Sequence, residues 1–275
     1  MQNDSFKKIF KTGSMTYFYS SLFFPKNIRD DVFILYSFVR TADNYVDAIP
    51  QQKKAFNSFF ETYKTAVKGK PVNNTIITAF IGLMNRKNFD PLWVDAFLNA
   101  MRQDMSKTVY MTITETEEYM YGSAEVIGLM MAAIMELPIE SHRAAQKLGK
   151  AMQYINFIRD IQEDIDLGRM YLPFSDIKKA GLKSLLQDDI EKKPDAFSNF
   201  IRTQLDRYEL WQDEAEEGFR YIPRNYRIPI KTASDMYKYT ATQIRKNPMI
   251  IYKKKVKPGM YQIIGTGIKN SFTTI

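Results

Sequence analysis

QYINFIRDIQEDIDLGRMYLP, residues 153–173, decides how the rest of the chain reads. Gln153, Asn156, Asp160 and Asp164 recur at steps of three and four, so a helix would align them in one stripe. Ile155, Phe157, Ile158 and Ile161 interleave with them. A polar stripe hemmed by apolar residues describes an inward, wet surface rather than a solvated face. The spacing predicts a long helix from Glu140 to Leu167, ended by Gly168.

Asp160 and Asp164 repeat a spacing already met in RTADNYVD, residues 40–47, where Asp43 and Asp47 are also four apart. Two like charges one helical turn apart repel by a few tenths of a kcal/mol unless a cation lies between them, roughly 0.2–0.5. One such pair is equally at home on a solvated helix face. Two pairs, each with an arginine nearby (Arg40 and Arg159), form a hard-oxygen set suited to magnesium, which takes one or two carboxylates together with substrate phosphates. Arg40, Arg159 and Arg169 could then grip phosphoryl oxygens, and metal and arginine together would stabilise charge on a departing diphosphate.

Outward from these segments the chain of 275 residues reads as all-α. A helix begins after Pro25 with Asn27 as its cap and Asp30 near its positive end, and runs to Ala48. Thr114 and Glu117 form a capping box for the helix through Tyr119 and Tyr121. Two more helices are expected at Asp195–Tyr221 and Ile230–Lys246. No repeat or linker divides the chain. Residues 1–252 are expected to form one domain, and residues 253–275 a basic tail, disordered or lying on the surface. Gly265-Thr266-Gly267 lacks the third glycine and the strand of a nucleotide loop.

Composition narrows the chemistry. There is no cysteine, which excludes thiol catalysis, disulfides and Cys-based zinc sites. The single histidine, His142, sits in the polar stretch Glu140–Arg143 and is expected at the surface, so no Ser-His-Asp machinery exists. The formal charge of +8 favours an anionic partner. Nucleic acid is disfavoured because that charge is dispersed apart from the tail. The N-terminal residues lack a signal peptide's apolar core, and the run Val126–Met135 is too short to span a bilayer. The expectation is a cytoplasmic protein, at most peripheral to an anionic membrane through Lys253–Lys255 and Lys257. Nothing in the sequence bears on oligomeric state.

Four landmarks, in order, resemble the squalene/phytoene synthase family: Gly13–Phe18, Leu35–Asp47, Tyr121–Gly128 and Gln153–Pro173 with its Arg-x-Tyr-Leu-Pro ending. The resemblance covers roughly residues 10–256. It implies an all-α isoprenoid synthase fold around a central cavity, and prenyltransferase activity on polyprenyl diphosphates. By the same resemblance Asp43, Asp47, Asp160, Asp164 and Asn156 hold magnesium, or manganese in its place. Tyr121 joins the aspartates in catalysis, and Arg40, Gln153, Asn156, Arg159, Arg169, Tyr171, Tyr237 and Lys255 contact substrate.

The implied reaction joins two prenyl diphosphates head to head through a cyclopropylcarbinyl diphosphate. Phytoene synthesis from two geranylgeranyl diphosphates, in carotenoid biosynthesis, leads over squalene or dehydrosqualene synthesis from two farnesyl diphosphates. No NADPH motif is recognised, so a reductive outcome is not expected. Met15 stands where many members carry lysine, Glu125 where a small residue is common, and Lys255 where an arginine is usual. Lys255 keeps the charge but loses the planar fork. A non-catalytic relative acting as an assembly protein would be expected to lose its metal-binding aspartates, and all four are present.

Overall fold

Apolar residues at helical spacing run through nearly the whole chain, and each helix must bury that stripe against another. The computed structural model describes residues 2–272, with side chains from Asp4 onward. The chain forms α1 (Gln2–Gly13), α2 (Met15–Ser21), α3 (Lys26–Asp47), α4 (Lys53–Val67), α5 (Thr75–Arg86), α6 (Pro91–Gln103) and α7 (Ile113–Met120). A π-helical turn, Tyr121–Glu125, leads into α8 (Val126–Ile134) and α9 (His142–Arg159). Then come α10 (Ile161–Asp166), α11 (Phe174–Lys179), α12 (Gln187–Ile190), α13 (Pro194–Glu216), α14 (Arg224–Lys246) and α15 (Met260–Phe272). Among the described residues there is no strand, only an isolated parallel bridge between Val109 and Met170. The all-α expectation holds.

Helix α9 is the axis of the fold, packing on α8, the π turn, α13 and α14. Its Ala151, Tyr154, Ile155 and Ile158 are fully buried, while Gln153, Asn156, Arg159 and Asp160 are half-buried on the other side. Tyr154 meets Trp211 of α13 edge-on at 5.1 Å between ring centres. On the α8 side the backbones come so close that a Cβ on Gly128 would lie 2.1 Å from the Ala145 carbonyl oxygen.

Four local expectations need correction. Asn27 is not a cap: α3 already begins at Lys26, Pro25 occupies the cap position without a side-chain bond, and Lys26 pairs with Asp30 at 2.8 Å instead. The capping residue of α7 is Thr112, two residues earlier than expected, accepting from the Glu115 N–H at 3.3 Å. The predicted helix from Glu140 to Leu167 breaks at Asp160, whose backbone turns to φ −101°, ψ 18°. The helix expected from Ile230 starts at Arg224 and carries Pro229 within it. Proline's missing N–H leaves only the carbonyl four residues back, on exposed Asn225, where water can reach it.

The segment expected as a disordered or surface-lying tail contains α15, packed on α2 and α14 with Ile263 fully buried. Gly265-Thr266-Gly267 lies inside that helix. Residues 273–275 are outside the described part. His142 is half-buried, its ring edge-on to Trp93 at 5.9 Å.

Gly128→Ala is expected to destabilise the fold by about 1–3 kcal/mol, because the clash is with backbone that cannot rotate away. Thermal unfolding should show a clear fall in Tm; an unchanged Tm would mean that α8 and α9 can separate at no cost.

Candidate active site

Helices α2, α3, α8, α9 and α14 surround a cavity of about 750 Å3. Tyr36, Arg40, Asp43 and Asp47 fall at steps of four, three and four along α3, so one face carries them all into it. The opposite face of α3, with Phe38, Ala42 and Val46, is buried in the core. Across the cavity Gln153, Asn156, Arg159, Asp160 and Asp164 line the wall, joined by Arg169, Tyr171, Tyr237 and Lys255. Much of the remaining lining is apolar, including Phe24, Val32, Ile127, Met131, Met135 and Ile222. A charged end and an oily remainder share one space.

The break at Asp160 serves this end. Arg159 folds back onto Asp160 with both arms of its guanidinium, Nε lying 2.7 Å from Oδ1. Lys255 Nζ approaches the same carboxylate at 3.2 Å and also pairs with Glu163. Burial works against the Asp160 charge, yet Arg159 and Lys255 more than offset it and hold the carboxyl below its ordinary range.

Gly168, at φ +73°, makes the turn after α10 that only glycine takes without strain. The chain then runs beside residues 108–111, with the Met170 N–H on the Thr108 carbonyl at 2.7 Å. This aims Arg169 at the end of α3: Nη1 donates to Asp47 at 2.7 Å and Nη2 to the Val46 carbonyl at 2.6 Å. Expected as a phosphate ligand, Arg169 is instead largely engaged in holding Asp47. Nη1 also reaches the Tyr171 hydroxyl at 3.2 Å, and that hydroxyl donates to Asp104 at 2.9 Å.

Asp104 has no counterpart in the sequence reading. It is buried and accepts from Tyr119 at 2.6 Å as well as from Tyr171. Burial pushes its carboxyl up to about 6, against the pull of Arg169 and the two hydroxyls. A lone acid after α6 offered no local signal. Tyr119 did offer one: with Ser123 and Ile127 it forms a run at steps of four, and all three line the cavity.

Tyr121 is the one expected site residue that the structure does not bring in. It lies two positions from Tyr119, roughly 200° around an ideal helix, and its side chain is 41% exposed. Glu125, whose direction the sequence left open, points away and pairs with Lys150 at 2.9 Å. Met15, in the position where lysine is common, borders the cavity, and Lys257 supplies a cation that the site reading had not included.

Among the described residues no three carboxylates converge into a ready-made cation cage. The donors nevertheless fit a hard divalent cation completed by ligand oxygens. Burial, then the Asp47 charge, pushes Asp43 up to about 7 despite its pairing with Arg40. Asp164 is held well above its ordinary value by burial, then by Asp160 and Asp47. The Asn156 Oδ1 is buried without a hydrogen-bond partner. Negative charge here exceeds what the chain neutralises, and a buried orphan acceptor faces it.

An all-helical shell encloses paired aspartates and an oily cavity. The chain belongs to the squalene/phytoene synthase family, whose model matches residues 10–262. A relative from Paracoccus sp. strain N81106, named 15-cis-phytoene synthase, is 26% identical over 92% of this chain and 85% of its own. The crystal structure of a dehydrosqualene synthase in complex with ligand matches with a TM-score of 0.83 at 22% identity, covering 98% of this chain and 95% of that one. Squalene synthase HpnC from Alicyclobacillus acidocaldarius gives 0.79 at 22% identity, covering 90% and 94%. Both structural matches bear on the fold.

Tyr119→Phe should leave the buried Asp104 oxygen one donor short and cost about 1–3 kcal/mol, whereas Tyr121→Phe, at the surface, should leave Tm unchanged. Parallel melting curves of the two variants would reverse the assignment if Tyr121→Phe proved the more damaging.

Proposed function

We infer that this chain condenses two geranylgeranyl diphosphates head to head into phytoene, through a cyclopropylcarbinyl diphosphate. The observation that carries the reading is the union of an under-neutralised acidic end, rimmed by arginine and lysine, with an apolar cavity. Such a space takes a diphosphate at one end and hydrocarbon in the rest. The name of the Paracoccus relative supports the twenty-carbon substrate.

Asp43 and Asp47 from α3, with Asn156, Asp160 and Asp164 from the facing wall, are the residues that would hold magnesium. When bound, it supplies positive charge against the departing diphosphate. Arg40, Arg159, Lys255 and Lys257 are cations lining the same end, and each can donate to phosphoryl oxygens. Arg169 holds Asp47 in place through its 2.7 Å bond.

In the first step the C1–O bond of one substrate breaks, its electron pair leaving with diphosphate. The double bond of the second substrate attacks the allylic cation, and loss of a proton closes the three-membered ring. In the second step the remaining diphosphate departs, the ring rearranges, and loss of another proton forms the central double bond, with no reductant consumed. Tyr119, Phe157 and Tyr171, stacked with Phe157 and Tyr171 4.4 Å apart, offer aromatic faces to passing cations. The apolar wall keeps water from trapping them as alcohols.

Incubation with geranylgeranyl diphosphate and magnesium, without NADPH, should yield a forty-carbon hydrocarbon by mass analysis. A thirty-carbon product obtained only from farnesyl diphosphate would overturn the substrate, and no hydrocarbon from either would overturn catalysis.

Asp43→Asn and Asp160→Asn should abolish turnover while the helical circular-dichroism signal survives. Wild-type turnover in saturating magnesium would exclude those residues as metal ligands. Asp164→Asn should likewise be inactive, yet melt no lower than the parent in EDTA, since among the described residues no cationic side chain bonds this buried carboxyl.

A further inference from the structure

The cavity is lined by cations of two kinds, those that bond a carboxylate and those that do not. Among the described residues Lys11, Arg40, Arg159, Arg169, Lys255 and Lys257 line it. Arg40 pairs with Asp43, Arg159 with Asp160, Arg169 with Asp47, and Lys255 with both Asp160 and Glu163. Lys11 and Lys257 form no ion pair among the described residues, although Asp164 in the same cavity also lacks a bonded cation. Exposed lysines in general need no partner. What sets these two apart is where the fold holds them.

Lys11 stands on the last turn of α1. Phe10 before it is buried, and its ring stacks on Tyr36 at 4.0 Å between centres. Gly13 after it lies so close to Tyr36 that a Cβ there would collide with the hydroxyl. Ser14 then caps α2, its Oγ accepting from the Tyr17 N–H at 3.3 Å. Tyr36 shares its face of α3 with Arg40 and Asp43. Tyr17 meets Tyr237 at 5.7 Å and lies within electrostatic reach of Arg159. The junction of the first two helices is thus fixed over the charged end, while the stem of Lys11 stays free to reach. Lys257 arrives from the other end of the chain, between buried Val256 and Pro258. Burial, then the like charges of Lys255 and Arg159, hold its ammonium below the ordinary lysine range. Cations crowded without a counter-charge are what an entering anion relieves.

We propose that Lys11 and Lys257 form a metal-independent subsite for the diphosphate of the second prenyl substrate, the one whose C1–O bond survives the first step. This role rests on the proposed reaction, in which the two diphosphates need opposite treatment. One must ionise, and the aspartate end is built to draw charge from it. The other must be gripped by its phosphates while its C1–O bond stays whole until the ring has closed. Lysine suits that task, being a compact, strongly hydrated point charge on a flexible stem. No residue from Thr12 to Tyr17 brings a charge to the cavity, so on this side the contact falls to Lys11.

The test is calorimetric titration of the full chain with inorganic diphosphate in EDTA, without prenyl substrate. The parent should bind. Lys11→Gln and Lys257→Gln should each weaken binding about tenfold, the loss of one charge-assisted hydrogen bond, and melt as the parent does. Lys11→Arg should keep most of the affinity. With prenyl diphosphate and magnesium, Lys11→Gln should raise KM severalfold while kcat stays within about twofold. It should also divert substrate to the prenyl alcohol: a cation that finds no second double bond gains a hydroxyl from water, which releases a proton.

No metal-free binding by the parent, or equal binding by Lys11→Gln, would overturn the subsite. So would a lowered Tm of Lys11→Gln that Lys11→Arg does not recover, since the lysine would then be a structural residue of α1. A fall in kcat at unchanged KM would overturn the second-substrate role, because Lys11 would then act on the ionising diphosphate. Failure of the parent to make hydrocarbon would overturn the reaction, and that role with it, while the anion site stands. Failure of the titration would overturn the subsite and leave the reaction untouched.

Discussion

The grip of Arg169 on the end of α3 is the contact on which the acidic end depends. One guanidinium bonds the Asp47 carboxylate, the Val46 carbonyl and the Tyr171 hydroxyl, and its charge also acts on Asp104. Asp43 and Asp47 lie about 120 positions from Arg169 in sequence, so nothing local could hold them against Asp160 and Asp164. Buried ion pairs of this kind contribute little net stability when whole, but losing one partner strands the other in a medium that cannot solvate it. Here that asymmetry falls mainly on Arg169, which is the more deeply buried of the two and keeps its charge paired by holding Asp47.

Around that contact the protein leaves charge deliberately unbalanced. Asp160 is neutralised by Arg159 and Lys255, whereas among the described residues no cationic side chain is bonded to Asp164. The resulting repulsion is a cost carried by the fold, and the proposed cation would relieve it. The large aromatic core of α3, α4, α5 and α6, where Phe38 and Phe80 stack at 3.8 Å, supplies the rigidity that makes such a cost tolerable. A stiff scaffold and an uncomfortable site are two sides of one arrangement.

Much of this was legible in the chain itself, and the reasons are physical. Helical periodicity reports which residues share a face, so the α3 face with Arg40, Asp43 and Asp47 and the facing stripe with Gln153, Asn156, Asp160 and Asp164 emerged from spacing alone. Spacing does not report which way a face turns. Tyr121 and Tyr119 belong to one motif, and only the packing of the π turn against α6 and α9 shows that Tyr119 is the inward one. Asp104 was invisible because its partners, Tyr119 and Tyr171, come from distant segments. The helix break at Asp160 was hidden for another reason: no Gly or Pro marks it, and the clasp of the Arg159 and Asp160 side chains beside the turn is visible only in the structure. Helix α15 was missed because a glycine pair inside it reads as a loop, although Gly267 is there to admit the Phe23 ring.

The position of Lys255 in the chain has a consequence for how the protein comes into being. Asp43 and Asp47 are made early, Asp160 and Asp164 midway, and Lys255, which bonds Asp160, only after α14 is complete. Domains begin to fold while synthesis continues. A nascent chain arrested before this lysine would therefore hold both acidic faces without the cation that closes over one of them. The ribosome delivers the chemistry first and its clasp afterwards.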